Sequence, residues 1–258
     1  GLEDADGDVT LCVTEAPCEG SAQKLVYHPQ HHVLGLGCAR NADPEGVWAL
    51  VQETLAQSKI AEGAIAYVAS IDLKGDEPAM NIVAERLGVP LRLFTAAELE
   101  AETPRLANPS SVVFAEVGCH GVSEGAALAG AGVNAVLAVE KRKTAEATCA
   151  LARAQEPVTE LRGRARGRLS VVGIGPGQAA WRTPEVSRLI SEAEELVGYG
   201  LYIDLLGPLA AGKHRADFPL GGEEDRCRYA LERAAEGRNV ALVCSGDAGI
   251  YAMGALVF

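Results

Sequence analysis

The feature that most constrains this chain is a repeating alternation: a short apolar run, a glycine-rich or polar turn, then an amphipathic helical stretch. A strand covered on both faces reads as a continuous apolar run, and a helix joined to it by a short turn packs back onto the sheet. The alternation therefore predicts an α/β fold with parallel or mixed sheets. It occurs twice, over residues 28–155 and again from residue 168 to the end, so two successive α/β units are expected. In the first, "HHVLGLGC", "GAIAYVAS", "VPLRLF", "SSVVFAEVG" and "NAVLAVE" read as strands, preceded by "DVTLCVT". Asp43 before Pro44 is an N-cap followed by proline at the first helical position, and Val47, Leu50, Val51 and Leu55 form the buried stripe of that helix. Further helices open at Asp76 and Ser123, and "AEATCALARA", capped by Thr144, reads as the last helix of the block.

In the second unit "RLSVVGIG" and "NVALVC" read as strands, "EELVGY" leads into a short element, and Thr183-Pro184 starts a helix. Residues 223–236 make a charged amphipathic helix, and only three or four strands are expected, a thin open sheet. Between the units "EPVTELRGRARGR" places Arg162, Arg164, Arg166 and Arg168 at alternate positions. It reads as a linker over residues 156–167, its arginines forming a solvated, self-repelling tether.

A formal net charge of −12 argues against a generic nucleic-acid surface. No apolar run is long enough to cross a bilayer, and no basic-then-apolar leader opens the chain. The seven cysteines are scattered without paired short spacings, as expected of reduced thiols in a cytoplasmic protein. Methionine occurs only at Met80 and Met253, so the chain is expected to be a piece of something longer.

"VVGIGPGQ" places Gly173, Gly175 and Gly177 after a strand, but Gln178 breaks the G-x-G-x-x-G pattern and the helix begins only at Thr183. A dinucleotide pyrophosphate on the helix end is therefore excluded, and the Walker lysine is missing. The turn reads either as an ordinary strand-to-helix connection or as a small-residue loop offering backbone groups to a ligand. "CSGDAGIY" supplies a second strand-end loop, and strand ends of a parallel sheet share one edge, so the two loops can face one crevice. Asp247 there suits a helix N-cap, a hydrogen-bond acceptor for a ligand, or both.

"VGIGPG", "TPE", "AEELVGY" with Tyr202 three residues on, and "SGDAGIYAM" resemble, in order and spacing, the S-adenosylmethionine-dependent tetrapyrrole methyltransferases, over residues 168–258. The branch most resembled is that of the precorrin-3B C(17)-methyltransferases of cobalamin biosynthesis. The resemblance implies the incomplete cofactor domain of such an enzyme, with S-adenosyl-L-methionine bound by Gly173, Gly175, Pro176, Gly177, Gly246, Asp247, Gly249 and Ile250. Ala248 stands where many relatives have proline, and Gln178 where an acidic residue is usual. No general base is identified. Methyl transfer from a sulfonium depends chiefly on holding the acceptor in line.

In the first unit four strand-end clusters stand out: "GLGCAR", "SIDLKGDE", "VGCHGVSEGAAL" and "EKRKTAEAT". Taken singly they have plain readings. Lys74 and Glu77 make a local i,i+3 pair, His120 is a surface loop residue, and Cys119, adjacent to it in sequence, is poorly placed to be a nucleophile it activates. "HPQHH" lacks partners at ligand spacing, so no metal site is expected. Together the clusters resemble the C-terminal domain of the cobalt-precorrin-5A hydrolase (CbiG/CobE) family, from about His28 to Ala154. The resemblance implies a corrin-ring intermediate as partner, with Arg40, Ser70, Lys74, Glu77, Glu124, Lys141, Lys143 and Thr144 as candidate contacts.

The expectation is a piece of a bifunctional cobalamin-biosynthesis protein. Residues 1–27 are the tail of an upstream hydrolase-like module, 28–155 a CobE-like domain, 156–167 a linker and 168–258 a truncated methyltransferase. The intact protein is expected to methylate precorrin-3B at carbon 17 with ring contraction, as a homodimer through its methyltransferase part, and this chain alone to be inactive. The alternatives are a non-catalytic tetrapyrrole-binding module and lactone hydrolysis by the first block. No nucleic-acid or membrane partner is expected.

Overall fold

The computed structural model describes residues 9–249 and 253–257. The chain folds as two compact units, Gly1–Arg164 and Ala165–Phe258. Among the described residues no helix is long and apolar enough to cross a membrane.

The first unit runs β1 (Thr10–Val13), β2 (Lys24–Tyr27), β3 (His32–Cys38), α1 (Pro44–Ser58), β4 (Ile65–Ile71), α2 (Pro78–Leu87), β5 (Leu91–Phe94), α3 (Ala96–Glu100), α4 (Ser111–Val117), α5 (Val122–Ala131), β6 (Val136–Lys143), β7 (Ala147–Arg153) and β8 (Arg164–Ala165). β1 and β2 form a separate parallel pair, and the rest make a sheet in the order β6-β7-β3-β4-β5-β8. β3, β4 and β5 are parallel, while β7 runs antiparallel to β3 and β6, so the sheet is mixed. β3 and β4 are buried along nearly their whole length, as their uninterrupted apolar runs require. One core packs Val47, Val51, Met80 and Val83 of α1 and α2 against Leu34, Leu36 and Val68 of β3 and β4. A second packs Ala126 of α5 with Val33, Tyr67 and Ile71.

Two elements differ from the sequence reading. "SSVVFAEVG" forms α4 and not a strand. Ser110 Oγ accepts from Val113 N at 3.4 Å, and Gly118 ends the helix at φ 77°, so the local caps outweigh the β-branched run. "AEATCALARA" is β7 and not a helix. Its high helix propensity yields to pairing on both edges, with β3 and β6, and Cys149, Ala150 and Leu151 are fully buried. Thr144 therefore caps no helix; its Oγ1 accepts from Glu146 N and Ala147 N and closes the β6–β7 hairpin. The second helix begins at Pro78 with Glu77 at the cap, two residues beyond Asp76.

The arginine run is fastened down over part of its length. Arg164 Nη2 donates to Asp72 Oδ2 at 2.7 Å, and Arg92 donates to the carbonyls of Arg162 and Gly163. These bonds fasten the run along β5, whose outer edge is covered by β8 and not left to a solvated tether with unpaired backbone groups. Nearer the N-terminus, Glu15 is held by Arg153 Nη2 (2.6 Å), His31 Nδ1 (2.7 Å) and His32 Nε2 (2.8 Å).

The second unit runs β9 (Arg168–Gly173), α6 (Pro184–Glu192), β10 (Glu195–Tyr199), α7 (Gly200–Asp204), β11 (His214–Phe218), α8 (Glu223–Ala235), β12 (Asn239–Cys244) and α9 (Gly254–Val257). Its four strands are all parallel, in the order β11-β10-β12-β9. This is the thin sheet the sequence predicts. α6 and α7 pack on one face, around Ile190 and Ile203, and α8 on the other, around Cys227 and Ala230. β11, "HRADF", carries little apolar signal because it lies at the sheet edge.

α5 crosses β3 at very short range. A Cβ on Gly35 would lie 1.9 Å from the Ser123 carbonyl oxygen and 2.8 Å from Ala127 N, both backbone atoms. Gly35→Ala is expected to destabilise the first unit by about 3 kcal/mol, the upper part of the usual range for overpacking, read as a lowered urea midpoint. Glu15 supplies a pH signature. The Arg153 guanidinium first, then the two histidines, bring its carboxyl from an ordinary 4.5 to about 2. Its stabilisation is fully present above pH 4.5 and is lost as pH falls towards 2, so Glu15→Gln flattens the acid limb of the stability profile in that window.

Candidate functional site

The C-terminal ends of β3 and β4, the β6–β7 hairpin, α4 and the start of α5 enclose a cleft of about 600 Å³. All four clusters contribute to it, although "VGCHGVSEGAAL" joins α4 to α5 and is not at a strand end, because the segment before it is a helix. Arg40, Lys74, Lys141, Lys143 and Thr144 line it, beside apolar Ile71, Leu73, Val113, Val117 and Val122. Glu116 and Glu146 are its acidic members. A largely apolar pocket with a few convergent charges is the usual form of a small-molecule site.

The cations are not equivalent. Lys141 Nζ donates to the Asn108 carbonyl at 2.9 Å, and Lys74 Nζ to Glu77 Oε1 at 3.3 Å. Arg40 and Lys143 are exposed. Three other candidate residues lie outside the lining and hold it in place. Ser70 is fully buried and its Oγ donates to the Leu36 carbonyl at 2.8 Å. Glu77 accepts from Asn41 N at 3.0 Å and from Lys74; burial raises its carboxyl, but these donors bring it below the ordinary value. Glu124, 1% exposed, accepts from Ala107 N, Asn108 N, Asn108 Nδ2 and Lys141 N at 2.9–3.0 Å. Burial opposes its charge, and the four donors outweigh burial and hold the carboxyl below its usual range.

Sequence reasoning missed Val113, Glu116 and Val117, because their segment was read as a strand. The signal was present: Ser110 and Gly118 bracket a helix, and Val113 and Val117 are four apart. Cys119 and His120 do not cooperate. Cys119 is buried and burial pushes its thiol up, while His120 stacks on Phe114 and bonds Glu100 through Nδ1 at 3.0 Å. Cys38, in the cleft lining, is likewise raised by burial. His31 and His32 are engaged by Glu15, and among the described residues no cluster has the makings of a metal site.

In the second unit the two glycine loops follow adjacent strands, β9 and β12, and are joined to each other. Gly175 N donates to the Gly246 carbonyl at 3.1 Å and Gly246 N to the Gly175 carbonyl at 2.9 Å. The Gly175 backbone groups, expected to be offered to a ligand, are therefore used within the protein, and Gly177 N donates to the Ile174 carbonyl at 3.3 Å. The glycines have different reasons. A Cβ on Gly173 would lie 2.4 Å from the Gly246 carbonyl oxygen, and one on Gly177 2.6 Å from Leu205 Cδ1. Gly246 has φ 65°, and a Cβ there would meet nothing within 4 Å, so it borders open space. Pro176 and Asp247 are exposed. Asp247 Oδ1 accepts from Gly249 N at 2.7 Å, an Asx turn within the loop; α9 starts at Gly254, so the N-cap reading of Asp247 does not hold for that helix. Ile250 lies outside the described residues. Beside Ser245 a second cleft of about 350 Å³ is lined by Tyr202, Leu220, Arg226 and Met253. The open space over Gly246 leaves room for a bulky ligand such as S-adenosylmethionine.

Two family descriptions match the chain: "Cobalamin synthesis G C-terminus" over residues 32–152 and "Tetrapyrrole (Corrin/Porphyrin) Methylases" over residues 168–258. A relative named "Protein CobE", from Sinorhizobium, is 53% identical over 120 residues, 46% of this chain and 78% of that protein. The "Probable cobalt-factor III C(17)-methyltransferase" of Salmonella typhimurium is 45% identical over 89 residues, 34% of this chain and 37% of that protein. The "Precorrin-3B C(17)-methyltransferase" of Sinorhizobium is 43% identical over 91 residues, 35% of each chain. The chain thus spans little more than a third of the length of these two methyltransferases.

If Glu124 organises the cleft wall and does not itself contact a ligand, its loss registers first in folding. Glu124→Ala leaves four N–H donors without their acceptor and is expected to cost about 3 kcal/mol of stability, measured by chemical denaturation.

Proposed function

The chain belongs, through residues 32–152, to the cobalamin synthesis G C-terminus family and carries a tetrapyrrole methylase segment behind it, and from that premise we propose that it serves two steps of corrin-ring construction. The first unit binds a tetrapyrrole intermediate by its carboxylate side chains. The second belongs to an S-adenosylmethionine-dependent methyltransferase acting at carbon 17 of precorrin-3B or of its cobalt-containing counterpart.

The observation that carries the first part is the convergence of four sequence-distant clusters on one cleft, with Arg40, Lys74, Lys141 and Lys143 beside an apolar lining. A macrocycle has an apolar face and a periphery of carboxylates, and the cleft offers a surface for each. An exposed ion pair contributes only about 0–1 kcal/mol, so affinity comes from several pairs together with apolar burial. Binding is favoured over lactone hydrolysis by a thiol nucleophile in this unit, because burial raises the half-buried Cys38 and the buried Cys119 and so favours their neutral form.

In the second unit the bound sulfonium compound would supply the methyl group. The protein's part is to orient: Gly246 leaves room for the ligand, Asp247 Oδ2 accepts a hydrogen bond from a ligand hydroxyl or amine, and the pairing of Gly175 with Gly246 fixes the two loops in register. Precorrin-stage substrate, homodimeric assembly through the methyltransferase part and a cytoplasmic location complete the proposal. So do the segment roles: residues 1–27 as the tail of a preceding module and 156–167 as the connection between activities. On this reading the chain alone does not turn over, and the intact parent does.

Calorimetric titration with a tetrapyrrole polycarboxylate is expected to show binding that weakens with salt. Arg40→Ala and Lys143→Ala should each lower affinity about 2- to 5-fold. Absence of tetrapyrrole binding would overturn the first part, and absence of methyl transfer to the macrocycle by the parent protein would overturn the second.

A further inference from the structure

We infer that the amino end of α5 is a carboxylate subsite within the first-unit cleft, with Ser123 as its side-chain donor. This rests on the reading of that cleft as a tetrapyrrole site and adds to it the group that α5 receives. α5 is ten residues long, and its N-cap, Gly121, provides no side-chain acceptor for the first helical N–H groups. Those N–H groups have no partner inside a helix and together carry partial positive charge. Gly121, Val122 and Ser123 all line the cleft.

The second observation is independent of the helix end. Ser123 is 1% exposed, and its Oγ has no hydrogen-bond partner among the described residues. A hydroxyl withdrawn from water without a partner destabilises the fold, so a buried orphan of this kind points to a group supplied from outside. The carboxylate already in the first turn, Glu124, does not serve, because it is directed to the amides of Ala107, Asn108 and Lys141. Lys141 and Lys143 line the same cleft, and Glu116 and Glu146 restrict how much negative charge it accepts. A planar carboxylate can take the Ser123 hydroxyl on one oxygen and α5 N–H groups on the other. No covalent step is involved.

The position of the helix end is fixed by the glycines of β3. Gly35 allows the Ser123 carbonyl to rest on the strand, and a Cβ on Gly37 would lie 3.5 Å from the Val122 side chain and 2.8 Å from Thr148 Oγ1. The donors are thus presented from a rigid element, as a recognition subsite requires.

The test uses the whole chain, Ser123→Ala, uroporphyrin III as an octacarboxylate probe and its octamethyl ester as the uncharged control. Ser123→Ala is expected to bind uroporphyrin about 10-fold more weakly, to bind the ester as the parent chain does, and to melt at the same or a higher temperature, since it removes an unpaired buried hydroxyl. Uroporphyrin binding within twofold of the parent chain overturns the subsite while leaving the cleft reading intact. If the parent chain binds no uroporphyrin, the cleft reading fails and amide chemical shifts decide the subsite alone. Succinate-induced shifts at Val122, Ser123 and Glu124 that vanish in Ser123→Ala sustain it, and their absence overturns it. Inorganic phosphate shifting these amides in preference to succinate at equal concentration overturns the assignment to carboxylate.

Discussion

The approach of α5 to β3 is the constraint on which the first unit depends. A helix normally stands off a sheet by the thickness of two layers of side chains. Here Gly35 removes one layer, and the backbone of α5 at Ser123 and Ala127 meets the strand directly. Gly130 belongs to the same fit, because a Cβ there would lie 2.8 Å from Val33 Cγ1 of β3 and 2.9 Å from the Tyr67 hydroxyl. Lowering the helix onto β3 brings its amino end level with the ends of β3 and β4, where the cleft opens.

The second unit solves a related problem at its own strand ends. Gly173 lets the loop after β12 lie against the end of β9, and the paired hydrogen bonds of Gly175 and Gly246 close the contact. In both units, then, some glycines serve packing while others border free space. Gly173 and Gly35 belong to the first kind and Gly246 to the second. A count of glycines in a motif does not separate the two; the contacts a Cβ would make do.

Much of this was legible in the sequence. The strands β3, β4, β5, β9 and β12 and the helices α1, α6 and α8 follow from apolar runs and caps such as Asp43 and Thr183, which act locally. What failed had two causes, distant strand pairing in one segment and overlooked local caps in the other. β7 is an alanine-rich segment whose state is set by pairing on both sides, and α4 is a β-branched segment whose state is set by its caps. The convergence of Arg40, Lys74, Lys141 and Lys143 was foreseeable, because clusters after parallel strands share an edge. The pair of Lys74 with Glu77 was legible from its i,i+3 spacing, but the supporting work of Ser70 and Glu124 was not, because a polar residue in such a cluster looks the same whether it faces the cleft or buttresses it.

The pairing of Gly175 with Gly246 has a consequence for the order in which the molecule takes shape. The first loop is synthesised well before the second, and α6, β10, α7, β11, α8 and β12 all lie between them. Until Gly246 arrives, Gly175 lacks the two hydrogen bonds that join the loops, so this loop can reach its paired geometry only then, although it is made first. Completion of β12 acts as a checkpoint: a nascent chain interrupted earlier would contain the first motif in sequence without possessing it in space.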